Sequence, residues 1–432
     1  MSADATLPRN HDLGVSRWHL DPRERSRLLP VPGATRYADH LERYGPLAGP
    51  PSDLIDAVTA AGLRGHGGAG FPTAIKLRAV ANGRRRPVVV ANGTEGEPAS
   101  AKDKVLLMTA PHLVLDGIQV ASELLGASAE WLCVDGGWPD LVASLEAALA
   151  DRAAAGSRLG SCRVVGAPDG YVTGEESALV NWLNGHDANP TFTPPRPFER
   201  GVRGRPTFVS NVETFADLAL IARFGPDWYR ALGTSDTPGT MLVTVTGGIA
   251  NPGVCEVEGG TRLADVIATA GGSPGDGSAV LLGGYFGTWI AGPDVGRVAL
   301  DPPTLARFGA SLGCGAIAVV PPTACPVQEV ARVTRWMAGQ SAGQCGPCLY
   351  GLDTIATVVE RQAAGESRLA GELDRYLDLV RGRGACRMPD GVVRFVESAR
   401  RVFADHYEQH LRSGPCPAQP PLLPTPAVGR WR

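Results

Sequence analysis

The sequence predicts an α/β fold in which a layered α/β domain precedes a small β-rich module and a C-terminal four-helix bundle. Three observations predict it. Short β-branched runs alternate with helical patterns over the first half of the chain, as in a parallel sheet covered by helices. Strand patterns around a single helix then fill residues 241–320, which is typical of a β-grasp-like domain. Beyond residue 327 only helical patterns remain.

Each element follows from hydrophobic periodicity and flanking turn residues. The first domain has strand patterns at 87–91, 131–134 and 162–165, and helical patterns at 52–61, 74–81, 101–108, 112–125, 141–155 and 175–183. The β-rich module has strand patterns at 241–246, 254–257, 279–282 and 316–320 and a helix at 262–270. The last domain has helical patterns at 327–339, 351–362, 369–380 and 392–410.

These changes of pattern divide the chain into five predicted segments. They are an N-terminal arm at 1–50, the layered α/β domain at 51–235, the β-grasp domain at 236–322, the helical domain at 323–412 and a disordered Pro-rich tail at 413–432.

The composition excludes several classes of function. A net charge of −3 gives the chain no attraction to nucleic acid or to an anionic membrane surface. The first 30 residues are polar and charged, and the most apolar run, 279–292, is short and broken by glycines. We therefore expect no secretory signal, no membrane span and a cytoplasmic location, peripheral at most to a membrane complex.

Cysteine and lysine are unevenly distributed. Six of the nine cysteines lie at or beyond Cys314, and clustered cysteines in a chain of this length indicate metal or redox chemistry rather than a disulfide scaffold. The only lysines are Lys76, Lys102 and Lys104. Either a local demand for a compact positive charge or chance among few events explains this grouping.

A glycine-dense loop, Gly65–Gly70, runs into the helix that carries Lys76. Glycines let backbone N–H groups approach a ligand, and a helix N-terminus favours anions, so the loop could cradle a phosphate within reach of Lys76. Its spacing fits neither the dinucleotide fingerprint nor a P-loop, and a flexible turn explains it equally well. Phe71 could stack on a planar ring or simply anchor the loop.

Polar residues follow three of the strands, in the turns 92–98, 171–177 and 204–214. Ligands of α/β sheets bind outside the carboxyl ends of the strands, so we expect the three turns to converge on one edge. Ser100 and Asp103 have the spacing of a helix-capping box, which is a structural role. Thr173 and Glu176 share that spacing, which leaves Glu175 as the freer of two adjacent carboxylates.

Cys345 and Cys348 form a Cys-x-x-Cys motif, and Cys386 follows 38 residues later. The motif suits thiolate ligation of a metal or dithiol chemistry. The letters Cys-Gly-Pro-Cys occur in thioredoxin active sites, but those need a βαβ setting, and here helical patterns flank the motif. A cubane iron–sulfur cluster normally takes four thiolates, whereas this neighbourhood offers three.

Several long motifs in order resemble those of the NADH-binding, FMN-containing flavoprotein subunit of respiratory complex I and of related NAD-linked diaphorase subunits. They are GLRGHGGAGFPT, NGTEGEP, GYVTGEESAL, GRPTFVSNVET and GQCGPC, and the resemblance runs from about Tyr37 to about His410. It implies a Rossmann-like FMN/NADH domain, a ubiquitin-like SLBB domain and a helical bundle with a [4Fe–4S] cluster. It also implies transfer of hydride from NADH to FMN and of single electrons onward.

The resemblance assigns roles position by position. The residues it would place on FMN are Gly65, Gly67, Gly68, Lys76, Asn92, Glu95, Ser210 and Asn211. Phe71 would lie near NADH, and Tyr171 and Glu176 would border both cofactors. Glu97 and Glu175 would position the nicotinamide and are the expected catalytic residues. Cys345, Cys348 and Cys386 match three of the four cluster ligands.

The chain departs from the family pattern at three places. Thr94 stands where the family has a flavin-facing carboxylate, and Leu77–Ala79 lack an aromatic that would flank NADH. Ala342 stands at the position of the first cluster ligand. The cluster could survive with three cysteines plus another ligand, Cys325 or Cys314 among them, or as a labile or three-iron form, or it could be lost.

We therefore expect an NADH-oxidising flavoprotein subunit that passes electrons to an iron–sulfur centre or a ferredoxin-type partner, among other redox subunits. A cofactor-poor scaffold subunit and a dithiol oxidoreductase using Cys345 and Cys348 are the alternatives. Retention of Lys76, Asn92 and Glu97 argues against the scaffold.

Overall fold

The computed structural model describes residues 16–19, 26–30, 35–157, 159, 162–272, 279–366 and 370–427. The strands are β1 (Ser16–His19), β2 (Val88–Gly93), β3 (Ala129–Asp135), β4 (Arg163–Ala167), β5 (Thr207–Asn211), β6 (Thr240–Gly247), β7 (Gly253–Glu258), β8 (Ala279–Leu282), β9 (Thr288–Ala291) and β10 (Ala316–Val320). The helices of the first half are α1 (Tyr37–Tyr44), α2 (Leu54–Ala61), α3 (Thr73–Ala81), α4 (Lys102–Thr109), α5 (Pro111–Leu125), α6 (Pro139–Ala154), α7 (Glu176–Leu183) and α8 (Val212–Arg230). Those of the second half are α9 (Leu263–Thr269), α10 (Pro302–Arg307), α11 (Pro326–Gly339), α12 (Leu352–Ala363), α13 (Ala370–Val380), α14 (Met388–Val402) and α15 (Ala404–Ser413).

The first sheet is parallel throughout, with strand order β4-β3-β2-β5. Helices α5 and α8 pack against it and against each other so closely that a Cβ on Gly117 would stand 1.9 Å from the carbonyl oxygen of Phe215. A parallel sheet needs helical crossovers, which explains the alternation seen in the sequence. The layered α/β class is confirmed.

The second sheet has six strands in the order β1-β7-β6-β10-β8-β9. Strand β6 pairs antiparallel with β7 and parallel with β10, which is a mixed β-grasp arrangement, and α9 packs under it. Two strands of this sheet escaped prediction: β9, in the apolar run 279–292, and β1, from the stretch expected to be an arm. In the first sheet, β5 lies within the segment 204–214 that was expected to be a turn. Strand β1 pairs with β7 in parallel, and Leu28 and Leu29 are fully buried in the first domain's core.

The C-terminal domain is helical, as predicted, but its described residues form five helices, α11 to α15. The helix expected at 392–410 is broken at Phe403, whose backbone (φ −107°, ψ 23°) leaves the helical path while its side chain packs on Trp289. Burial of that aromatic ring outweighs the continuity of the helical pattern.

The prediction of a disordered tail was wrong for residues 414–427. Backbone N–H groups of Leu422 and Leu423 donate to the buried Glu329 at 3.0 and 2.9 Å, and Leu423 is 1% exposed. The Trp336 indole N–H donates to the Pro426 carbonyl at 2.8 Å. Prolines lack a backbone N–H but keep a carbonyl acceptor. A Pro-rich segment can therefore lie across a helix when its remaining N–H groups find a carboxylate and a side chain donates to its carbonyls.

Within the described ranges, no single helix is long and apolar enough to cross a membrane. The pair α4 and α5 meets that test only when taken together, and it is bent by 94° at Ala110.

Candidate functional site

The carboxyl ends of β2 and β5, together with the turn after β4, form one edge of the parallel sheet, as expected from the sequence. Asn92 near the end of β2 lies beside Asn211 at the end of β5, with the Asn211 amide 3.4 Å from the Asn92 carbonyl. Asn92 also donates to the Gly174 carbonyl at 2.8 Å, which brings the third turn to the same place. The three turns therefore converge on one site.

The glycine loop folds over this edge and is closed at its base. The Gly65 N–H donates to the Phe71 carbonyl at 2.9 Å, and Arg64 pairs with Pro72 as an isolated bridge. Gly68 and Gly70 have φ values of 101° and 59°, which other residues rarely adopt. A Cβ on Gly67 would touch Asn211 at 3.5 Å, so the loop lies directly over the end of β5.

His66, which sequence reasoning passed over, fixes the loop to helix α8. Its backbone N–H donates to the Thr214 hydroxyl at 2.9 Å, and its two ring nitrogens lie 3.3 Å from Glu213 and 3.0 Å from Asp217. Burial alone would lower the pKa of His66, but these two carboxylates raise it. The His66 ring, held between these two carboxylates of α8, thus anchors a loop that is rich in glycine.

The loop keeps donors available. In the described part of the chain, the backbone N–H groups of Gly67 and Gly68 have no hydrogen-bond acceptor. Gly68 also lies against Gly313, with a Cβ there falling 3.7 Å from the Gly313 carbonyl carbon. Unpaired N–H groups in a positive-φ glycine loop suit an anionic or carbonyl-bearing ligand.

Lys76 lies under the loop at the sheet edge. Its ammonium donates to Glu176 at 2.7 Å and to the Val209 carbonyl at 3.0 Å, and its side chain is 19% exposed. The structure therefore joins α3, α7 and β5 through one lysine. Two predicted site residues, Lys76 and Glu176, are direct partners.

Lys102 and the carboxylates around it form a buried charged cluster that the motifs did not reveal. The Lys102 ammonium, 3% exposed, lies 2.6 Å from Asp103 and 2.8 Å from Glu213. Asp103 in turn accepts from the Asn211 amide at 2.6 Å. Burial raises the pKa of Asp103 to about 6, and its lysine neighbour opposes that shift. The rarity of lysine was the signal for this cluster.

Glu95, not Ser100, caps helix α4, so the predicted capping box was wrong. The Glu95 carboxylate accepts from the N–H groups of Asp103 and Lys104, both at 3.0 Å, and from the Ser100 hydroxyl at 2.7 Å. Glu95 reaches this position with a left-handed φ of 40°. A carboxylate at a helix N-terminus also benefits from the helix dipole, so it prevails over a local serine.

Glu97 lies on the other side of the same turn. Its carboxylate accepts from the Tyr171 hydroxyl at 3.1 Å and from backbone N–H groups of Tyr285 at 2.8 Å and Ala99 at 3.1 Å. Burial raises the pKa of Glu97 to about 7 despite these three donors. A carboxyl that titrates near neutrality can exchange its proton with a ligand at working pH.

The β-grasp domain closes this side of the site. A Cβ on Gly284 would stand 2.5 Å from the Glu97 carboxylate and 2.9 Å from the Cys314 sulfur, and Gly284 has a φ of 79°. Tyr171 packs edge-on against Phe286 and Trp336, with ring centroids 4.8 and 5.6 Å apart. Residues from three domains thus meet around Glu97, which no local motif indicates.

The two adjacent carboxylates have exchanged the roles that their spacing suggested. Glu175 is the N-cap of α7 and accepts from the N–H groups of Ser177 and Ala178, both at 3.0 Å. Glu176 points to Lys76 instead. Thr173, expected to form a capping box with Glu176, is buried without a hydrogen bond to its hydroxyl in the described structure. Glu175 has an extended backbone, which the N-cap requires.

Cys345, Cys348 and Cys386 lie together at the end of the helical domain that faces the first domain. Cys348 is buried beside Cys345. Burial is the main cause that raises the pKa of Cys348 to about 12, and the neighbouring Cys345 raises it further. Burial also raises the pKa of Cys386, and the Glu175 carboxylate and Cys345 act in the same direction. The Ala342 methyl is 8% exposed in the same apolar cluster. Three thiols fit three corners of an iron–sulfur cluster, and no thiol stands at 342.

The two cysteines considered as substitutes for a fourth ligand are engaged elsewhere. Cys314 contacts the Gly283 carbonyl at 3.6 Å and lies beside Glu97. Cys325 makes its side-chain contacts with His406 and His410. Both suggestions are therefore wrong for this structure.

The remaining predicted residues are less involved. Phe71 is 38% exposed at the mouth of the glycine loop. Ser210 pairs with Ala91 in the sheet, and no hydrogen bond of its hydroxyl occurs among the described residues. The structure gathers the other predicted site residues around the sheet edge and the adjoining face of the helical domain.

Comparison with known families matches three regions of the chain. Residues 58–220 match the Nuo51 FMN-binding domain, residues 242–284 the SLBB domain, and residues 328–410 the NADH-ubiquinone oxidoreductase-F iron-sulfur binding region.

Similar full-length proteins carry consistent names. The NADH-quinone oxidoreductase F-subunit of Streptomyces coelicolor is 32% identical over 87% of this chain and 86% of its own length. The protein of the same name from Mycobacterium tuberculosis is 31% identical over 94% of this chain and 95% of its own length. The HndC protein of the NADP-reducing hydrogenase of Solidesulfovibrio fructosivorans is 31% identical over 85% of this chain and 78% of its own length.

Among solved structures, NAD+-reducing [NiFe]-hydrogenase in its air-oxidised state superposes with a TM-score of 0.77 at 34% identity, over 86% of this chain. Its H2-reduced state gives a TM-score of 0.76 at 33% identity, over 84% of this chain. This chain spans 65% of the hydrogenase chain in the air-oxidised state and 63% of that in the H2-reduced state.

Proposed function

Because the chain belongs to the NADH-quinone oxidoreductase F-subunit family, we propose that it is an NADH-oxidising flavoprotein subunit that passes electrons through FMN to an iron–sulfur centre. The observation that carries this proposal is the convergence of the glycine loop, Lys76, Asn92 and Asn211 on one sheet edge, with Glu97 in the turn that follows β2. Neither a scaffold nor a dithiol enzyme would need that arrangement.

The flavin-side residues supply three kinds of contact. The N–H groups of Gly67 and Gly68 are unpaired in the described chain and suit a phosphate. Lys76 would hold a negative or carbonyl oxygen, while its pairing with Glu176 fixes where the ammonium points. The second amide hydrogen of Asn92 would donate to a ring edge, and Asn211, whose amide already contacts Asn92 and Asp103, would hold Asn92 in place. FMN bound there supplies the chemistry of accepting hydride and releasing single electrons.

The residues on the nicotinamide side would hold and orient the nicotinamide ring. Tyr171 and Tyr285 hold the Glu97 carboxyl in place, and burial raises its pKa to about 7. Glu97 can therefore accept a hydrogen bond from a carboxamide without carrying a permanent buried charge. Glu175 is restrained by capping α7 and reaches the cysteine group electrostatically. Phe71, half-exposed at the mouth, would cover the ring and exclude water.

For the cluster we propose ligation by Cys345, Cys348 and Cys386, with one corner that no cysteine of the described chain occupies. Helices α11 and α12 flank the motif, whereas dithiol exchange at a Cys-x-x-Cys motif is typical of a βαβ setting. A positively charged metal centre would lower the raised pKa of Cys348 and hold the thiolates. Electrons would leave to other redox subunits or a ferredoxin-type acceptor, in the cytoplasm or at the surface of a membrane complex.

The test is an anaerobic spectrum of the purified chain. A flavin absorbance that bleaches on adding NADH is the expected result. Glu97→Gln should retain FMN but bleach slower by about ten-fold or more, since it loses the positioning carboxylate. Glu146→Gln, an exposed glutamate on α6, is the matched control and should bleach like wild type.

Three outcomes would contradict parts of the proposal. A colourless protein that takes up no FMN would favour the scaffold, and a colourless protein that reduces disulfides would favour dithiol chemistry. Iron and acid-labile sulfide at background levels would remove the cluster and leave the flavin chemistry standing.

A further inference from the structure

Four side chains far apart in sequence meet on the outer side of the helical domain. Cys325 is the N-cap of α11, where the β-grasp domain passes into the helices. His406 and His410 are four residues apart on α15 and so share one face of that helix. Cys416 lies just beyond Gly414, where the chain leaves α15. None of the four belongs to the three-cysteine group near Glu175.

Their ligand atoms are mutually close. The Cys325 sulfur is 3.4 Å from Nε2 of both His406 and His410. The Cys416 sulfur is 3.4 Å from Nε2 of His406 and 3.3 Å from Nε2 of His410. All four atoms lie within 4.8 Å of one another. Ordinary packing does not bring two thiols and two imidazoles to one point at nearly equal spacing.

We propose that Cys325, His406, His410 and Cys416 bind one structural zinc ion. The four sulfur–nitrogen distances of 3.3–3.4 Å are those of a tetrahedron whose centre lies about 2.1 Å from each corner, close to the Zn–N and Zn–S lengths of tetrahedral protein sites. Two thiolates and two imidazoles make a closed Cys2His2 set, so all four positions are filled by the protein and none is left for a substrate.

The surroundings orient the ligands for this task. Nδ1 of His410 lies 2.8 Å from the Ala363 carbonyl, which selects the tautomer that carries its proton on Nδ1 and makes Nε2 the lone-pair atom. The Cys416 backbone N–H lies 3.3 Å from this Nε2, and a metal ion would take the place of that contact. The Gln328 N–H points to the Cys325 sulfur at 3.5 Å, a contact that stabilises a thiolate. Gln328 also donates from its side chain to the Cys416 carbonyl at 2.7 Å, holding the second cysteine in place.

The donor set selects among ions. Calcium and magnesium require oxygen ligands, and none of the four is an oxygen. A Rieske-type [2Fe–2S] centre also uses two histidines and two cysteines, but on different iron atoms, which demands a larger separation between the pairs. Four donors at one tetrahedral spacing fit a single ion of zinc type.

The position of the ion gives it a structural role. It would tie the start of α11 to the end of α15 and to the tail. The tail then lies along α11 and caps Trp336 through the Pro426 carbonyl, and the Tyr285 hydroxyl donates to Pro424. Tyr285 is the residue whose backbone N–H donates to Glu97. Through the tail, the zinc site therefore supports Trp336 and Tyr285, the aromatic residues that pack behind Glu97.

The decisive measurement is the zinc and iron content of the full chain, purified anaerobically without chelator, by elemental mass spectrometry. We expect about one tightly held zinc per chain. Cys416→Ser and His410→Ala should lose most of the zinc and retain the wild-type iron content. Cys386→Ser should do the reverse. Cys162→Ser and His186→Ala change a cysteine and a histidine outside both groups and should alter neither metal.

If a site variant does not fold, X-ray absorption at the zinc edge of wild-type protein tests the proposal directly. Two sulfur and two nitrogen neighbours at about 2.3 and 2.0 Å are expected. Wild-type protein without zinc that also fails to take it up would overturn the proposal. So would a Cys325–Cys416 disulfide in the anaerobic protein, or iron that disappears in Cys416→Ser while zinc is absent from wild type.

Discussion

Replacing Lys102 by methionine should destabilise the first domain by an amount that depends on pH. Lys102 is the only cation within 3 Å of the Asp103 and Glu213 carboxylates, among the described contacts, and its side chain is 3% exposed. Methionine keeps the length of the side chain but leaves the buried Asp103 carboxylate without its cation, while Glu213 keeps the His66 ring at 3.3 Å. Breaking a buried pair in this way costs about 3–5 kcal/mol.

The pH dependence follows from proton binding. Burial already raises the pKa of Asp103 to about 6 in the presence of Lys102, above its unfolded value of 3.8. Without the ammonium it rises further, so the folded variant holds a proton that the unfolded chain has released. The variant therefore loses further stability through Asp103 as pH rises beyond 6, whereas the Asp103 contribution in wild type no longer changes there. The cost should grow by about 1.4 kcal/mol per pH unit between pH 6 and 8.

The assay is urea denaturation read by labelling of Cys133, which is fully buried in β3 and becomes reactive only when this sheet opens. Lys104→Met is the matched control on the same helix. Its ammonium is 3.9 Å from Asp135 and lies 4.2 Å from the Trp138 ring centroid, so about 1–2 kcal/mol is expected, constant from pH 6 to 8. If Lys102→Met lowered the free energy of unfolding by the same amount at pH 6 and at pH 8, the reasoning would be refuted, because the cost of a packing defect does not depend on pH.

Three further predictions follow from the site and the core. As pH rises from 4.5 through about 7, wild type should lose up to about 3 kcal/mol of stability, because burial favours the neutral form of the Glu97 carboxyl. Glu97→Gln should abolish this pH dependence, and urea midpoints from about pH 4 to 8 measure it. Lys76→Met should weaken FMN binding by about 10- to 100-fold, since Glu176 and the ligand lose a charged donor, and fluorescence titration of the flavin-free chain measures the Kd. Gly117→Ala should cost about 3 kcal/mol or more in urea unfolding, because the added Cβ would stand 1.9 Å from the Phe215 carbonyl oxygen.

Controls separate these effects from general damage. Gly371→Ala on α13 meets no atom within 4 Å and should gain up to about 1 kcal/mol from helix propensity. A Gly117→Ala variant as stable as Gly371→Ala would contradict the close contact of α5 and α8. A flat wild-type pH profile would contradict the role of Glu97, and an unchanged Kd would contradict that of Lys76.

The sequence could predict the parts of the fold that repeat a local pattern. Alternating strand and helix signals predicted the parallel sheet, and strand ends predicted that Asn92 and Asn211 would meet. It could not predict capping by Glu95, because that carboxylate reaches the helix only through a left-handed turn. Nor could it assign Glu175 and Glu176, whose partners depend on where Lys76 lies in space.

Long-range partners explain the other differences. The tail is held by Glu329, nearly a hundred residues earlier, and proline content alone does not report such a donor–acceptor match. Strand β1 is short and polar, and it becomes a strand only because β7 offers an edge. The buried Lys102 cluster combines residues from two turns, so only the scarcity of lysine pointed to it.

The contact of Glu97 with Gly284 and Cys314 limits how chains of this kind can be recombined. A chimaera with its crossover near residue 236 would take the β-grasp module from a second parent, yet that module supplies part of the wall around Glu97. Any side chain at 284 would meet the carboxylate at 2.5 Å and would need a φ of 79°. Exchange of the module succeeds only when glycine is retained at position 284. The residues that surround Glu97 must therefore be transferred together, although they belong to different domains.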